Sequence, residues 1–94
     1  MPIIGPQAAT LANVASSATS VTIFSAAVSA NGRTVFNDST QVLYLAFSTS
    51  AASSSAYTVQ LAAGAYYEFP QPVYSGGVDG IWASANGNAR LTSW

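Results

Sequence analysis

From Thr19 onward, short runs rich in β-branched and aromatic residues alternate with clusters of Gly, Ser, Asn, Asp and Pro. The runs read TSVTIFSAA, RTVFN, QVLYLAFS, AYTVQLAA, AYYEFP, GIWASA and NARLTSW. Turn residues recur at intervals of roughly 8–12 positions, the punctuation of an all-β domain. No segment of useful length carries apolar residues at helical spacing. The pattern predicts seven or eight short antiparallel strands closed into a sandwich or small barrel over residues 19–94. Residues 1–18 differ. Pro2 and Pro6 disfavour regular structure there, leaving an extended N-terminal arm or, in LANVAS, a first edge strand. An arm carrying Ile3 and Ile4 gains by covering them, about 1.5–3 kcal/mol each when fully buried.

Asn31-Gly32 and Asn86-Gly87 are the strongest turn signals, because a type I′ hairpin needs positive φ at both central residues. A two-residue turn at Asn86-Gly87 sets Ala85 opposite Asn88, Ala83 opposite Arg90 and Trp82 opposite Leu91. Side chains alternate between faces, so Trp82, Ser84, Ala89 and Leu91 form the expected core face. Ile81, Arg90 and Trp94 are then left to a neighbour. In QVLYLAF, Leu43, Leu45 and Phe47 share one face while Val42, Tyr44 and Ala46 share the other. Both are apolar, so both are expected to be covered, one by the core and one by another subunit, a loop or the arm.

Chemistry is scarce. The chain has no cysteine, histidine or lysine, which removes disulfides, thiolate metal sites, the usual general base and the Schiff-base nucleophile. The acidic residues are Asp38, Glu68 and Asp79. Asp38 suits an Asx-turn and Asp79 a turn before a strand, rather than a catalytic pair. No catalytic, metal or cofactor site is expected. A net charge of −1 gives no reason to gather phosphates, so no nucleic acid is expected. No apolar run is long enough to cross a bilayer, and MPIIGPQAATLANV lacks a basic n-region. The reading is of a protein made in the cytoplasm without membrane contact. Charged residues are only 5% of the chain against about 25% in an average domain, a balance that favours association. Tyr57, Tyr66, Tyr67, Phe69, Tyr74, Trp82 and Trp94 are either packing aromatics or a sugar-stacking platform.

The run FNDSTQVLYLAF followed by AYTVQLAAGAYYEFPQPVYSGGVDGIWASANGNARLT resembles a family of small virion proteins of tailed bacteriophages. The likeness lies in the order of an NDS strand end, an LYL strand, LAAG, YYE-P, GIWAS and a closing R-L-T over residues 33–93. The closing LTSW departs from that family's acidic ending. The resemblance implies a capsid decoration (cement) protein made in the host cytoplasm and placed on the capsid surface of the virion. Its partners would be the major capsid protein and itself, as a homotrimer. The expected fold is an all-β, small antiparallel β-sandwich, jelly-roll-like, of 7–8 short strands with an extended N-terminal arm. The candidate assembly-interface residues are Ile3, Ile4, Arg33, Val42, Tyr44, Ile81, Arg90 and Trp94, with the two arginines suited to carboxylates on a neighbour. Rival readings are a glycan- or receptor-binding tip of a head or tail fibre, and a head–tail connector component.

Overall fold

The computed structural model describes residues 7–48 and 52–94; Ile3 and Ile4 lie outside them. Eight strands follow in chain order: β1 (Thr10–Ala15), β2 (Val21–Phe24), β3 (Arg33–Asp38), β4 (Leu43–Ala46), β5 (Val59–Leu61), β6 (Tyr66–Glu68), β7 (Val78–Trp82) and β8 (Asn88–Ser93). They form two four-stranded antiparallel sheets, in the orders β1-β8-β3-β6 and β2-β7-β4-β5. Only β4 and β5 are neighbours both in sequence and in a sheet; every other connection crosses between the layers. An eight-stranded double sheet with that order is a jelly roll.

Period-two alternation sets what each strand buries. Val35, Leu43, Leu45, Phe69, Val78, Trp82, Ala89 and Leu91 are buried between the sheets. At one end the core becomes aromatic. Phe47 stacks on Phe69 at 4.6 Å and on Tyr74 at 5.0 Å, and Phe24 meets Phe69 edge-on at 5.6 Å.

Two expected hairpins are absent. β7 and β8 lie in opposite sheets, so Trp82 does not pair with Leu91 within a sheet; β7 lies between β2 and β4, and β8 between β1 and β3. Trp82 and Leu91 nevertheless both point into the core, because alternation fixes a side chain's face whichever strand lies beside it. Ser84 falls beyond the end of β7 and is exposed. Asn86 has no positive φ and Gly87 has φ of 75°, which rules out a type I′ turn. Asn31-Gly32 likewise joins strands of different sheets, and Gly32 keeps negative φ. Asp79 is a strand residue between Thr22 and Ala46, not a turn.

Candidate functional site

The inward face of β3 reads Arg33, Val35, Asn37, with one polar residue at each end of an apolar one. Arg33 is 1% exposed. Its Nη1 donates to the carbonyls of Tyr74 (2.9 Å) and Gly76 (2.8 Å), and its Nη2 to those of Ser25 (2.7 Å) and Ser75 (3.4 Å). The guanidinium carbon lies 4.8 Å from the Phe24 ring centroid, a cation–π contact. Desolvation lowers its pKa from the ordinary value, with the charge of Tyr74 acting in the opposite sense. An arginine so placed stays protonated through neutral pH. Arg33, expected at an interface, is thus used inside the chain. It ties β3 to the end of β2 and to the segment before β7. A cavity of about 330 Å³ between Phe24, Ser25, Arg33 and Trp94 borders it, but the fork's hydrogen bonds are directed at backbone carbonyls rather than into that space.

Asn37, at 0% exposure, does the same at the other end. Its Nδ2 donates to the carbonyls of Gln41 (2.8 Å), Leu61 (3.0 Å) and Ala62 (3.1 Å). Its Oδ1 accepts from Ser39 Oγ (2.7 Å) and Trp82 Nε1 (3.2 Å). The sequence motif NDST pointed to Asp38 as the turn-forming acid; Asn37 and Ser39 fill that role instead. Asp38 faces outward and pairs with Arg90 at 2.9 Å across β3 and β8. Arg90 is therefore exposed yet already satisfied within its own chain.

The remaining expected contact residues divide between surfaces. Tyr44 and Ile81 oppose each other on the outer face of the β2-β7-β4-β5 sheet, half-buried, with Val42 nearby. Tyr57 of the same chain packs on Tyr44 at 5.0 Å, so part of the cover expected from another subunit is intramolecular. Trp94 is half-buried at the far end, its ring against Gly32. The aromatics do not converge. Trp82 and Phe69 are core, Tyr67 and Tyr74 join the ring cluster, and Tyr57 and Tyr66 lie on opposite sheets.

The outer face of the other sheet was not anticipated. One cross-strand row there reads Asn13, Arg90, Phe36, Tyr66; the next reads Leu11, Thr92, Thr34, Glu68. Leu11 is 77% exposed, Phe36 37% and Tyr66 61%. The alternation in TLANVA and RTVFND carried that signal, once Val35 is known to face inward. Among the described residues, no group of acidic side chains comes together in a way that could hold a metal ion, and no helix is long and apolar enough to cross a membrane. No protein-family model, curated protein or solved structure matches the chain. What the fold defines is a class, a small two-sheet jelly roll with exposed apolar side chains on a sheet face.

Proposed function

We propose that this chain is a non-enzymatic capsid decoration protein, bound to the outer surface of a tailed phage's major capsid protein and reinforcing the shell. The observation that carries the reading is the jelly-roll strand order, an architecture that recurs in viral capsid and lectin domains, in a chain whose motif order resembles phage virion proteins. The charge economy fits. Arg33 is buried and Arg90 is paired with Asp38, so contact with a partner would rest on apolar and hydrogen-bonding surface. Phe36 and Tyr66, neighbours across β3 and β6, supply such surface together, with Leu11 exposed at the β1 edge, and adjoining exposed apolar side chains mark interaction sites.

The test is quantitative mass spectrometry of the virion that carries the chain, with thermal release of packaged DNA as a second readout. Copies in the hundreds, and earlier DNA release from heads lacking the protein, support the reading. A copy number matching a single ring at the portal would assign the chain to the connector and overturn it. A second reading, glycan binding, is favoured by one observation, the half-open Tyr44–Tyr57 pair beside Gln60, whose Oε1 accepts from the Tyr57 hydroxyl at 3.2 Å. Specific retention on a glycan array, lost in Tyr57→Ala, would support it.

A further inference from the structure

Among the described residues the sandwich has four unpaired sheet edges, and three are blunted. β2 is four residues with a register shift between Thr22 and Phe24. β5 has three residues. β6 has three, carries Glu68 and runs into Pro70 and Pro72. Shortness, bulges, charge and proline are the devices that keep an edge from pairing with another chain. β1 has none of them. It runs six residues, TLANVA, in unbroken register with β8, and is exposed along almost all of its length.

Which backbone groups this edge presents follows from the hydrogen-bond alternation. Gly32 and Trp94 exchange both backbone hydrogen bonds at 3.0 Å, so the even-numbered positions of β8 turn their N–H and C=O toward β3. Its odd-numbered positions turn toward β1, where the register matches them with even-numbered residues. The 3.0 Å bond from Ser16 N–H to the Gly87 carbonyl agrees. The N–H and C=O groups of Leu11, Asn13 and Ala15 therefore point out of the free edge.

We propose that this edge pairs with the same edge of a second copy, antiparallel, about a two-fold axis through Asn13. In that register Asn13 meets Asn13 and Leu11 meets Ala15. Every outward N–H and C=O of the strand then finds a partner in one arrangement. The side chains are self-complementary too. The Asn13 carboxamide both donates and accepts, so two of them facing across the axis can bond each other. Ala12 and Val14, on the inner side, come opposite each other as small apolar neighbours. No charge lies in β1 to repel its own copy. The result is one eight-stranded sheet with the Phe36 and Tyr66 rows of both copies on the same side. Such an isologous contact closes at two copies, in place of the three-fold association implied by the resemblance. The inference does not rest on the capsid reading. A contact made by one strand pair is small, so weak association is expected.

The absence of native cysteine makes the register directly testable. Residues at a hydrogen-bonded antiparallel pair have Cα atoms about 5.5 Å apart, within the roughly 4.4–6.8 Å that a disulfide spans. Under mild oxidation Asn13→Cys should cross-link to itself rapidly. Leu11→Cys should not, because its copies lie more than about 13 Å apart. A mixture of the Leu11→Cys and Ala15→Cys proteins should give the mixed dimer. In sedimentation, the unaltered protein should pass from monomer to dimer as concentration rises from micromolar to millimolar. Asn13→Glu, which sets like charges across the axis while facing Arg90 within its own sheet, should stay monomeric with a melting temperature no lower than the parent's. A parent that is monomeric or trimeric throughout, or Leu11→Cys cross-linking as fast as Asn13→Cys, overturns the proposal.

Discussion

The two inward-facing polar residues of β3, Arg33 and Asn37, act on the same carbonyl problem from opposite ends. Where the chain leaves a sheet, its carbonyls lose ladder partners and must find others or stay hydrated. Arg33 and Asn37 supply side-chain donors to such carbonyls at both ends of the sandwich. Asn37→Ala strands the Trp82 indole N–H and takes a donor from the Leu61 carbonyl, and should cost about 2–4 kcal/mol in urea unfolding. Asn37→Asp should cost more, since it sets a carboxylate against three carbonyl oxygens; equal losses for the two would show that the donors do not matter. Arg33→Lys keeps the charge but loses the planar fork that reaches several carbonyls at once, at a cost of about 1–3 kcal/mol. The exposed Asp38–Arg90 pair behaves differently. Its removal by Asp38→Asn should change stability by no more than about 0.5 kcal/mol, and by less in high salt.

At the scale of elements, the turns are more demanding than the strands. Gly64 and Gly87 both hold positive φ, 76° and 75°. A Cβ at Gly64 would meet open space, whereas one at Gly87 would press on the Asp38 carbonyl oxygen and on Ser39. Gly64→Ala should therefore cost about 1–2 kcal/mol from backbone strain alone. Gly87→Ala should cost distinctly more, since strain and collision add; similar melting temperatures for the two would show that the β7–β8 connection yields readily. The β3–β4 turn is drawn into the same neighbourhood, with Thr40 N–H donating to the Asn86 side chain at 3.1 Å.

For the molecule as a whole, stability and interaction reside on different surfaces. Leu45→Ala opens a cavity in a fully buried site and should cost about 2–5 kcal/mol. Phe36→Ala and Tyr66→Ala lie on the open sheet face, and each should change the isolated protein far less than Leu45→Ala does. If that face meets a capsid, the same two substitutions should lower occupancy on reconstituted heads. Full occupancy at unchanged stability would place the contact elsewhere.

The sequence by itself determined that this chain is all-β, where most strands lie, and which side chains share a face. Trp82 and Leu91 were legible as core, and Leu43 and Leu45 as one face of a strand apolar on both sides, because alternation along a strand is a local property that needs no knowledge of the neighbour. Only the tertiary structure decided which strands are neighbours. A glycine turn after β7 reads equally well as a hairpin or as a crossing to the other layer. The choice depends on where β1, β3 and β4 already lie, which is information spread over the whole chain. The same holds for Arg33. Its sequence neighbours suggest a surface charge beside a turn, while the carbonyls that bury it come from Ser25 and from Tyr74–Gly76, brought to it only when the two sheets close.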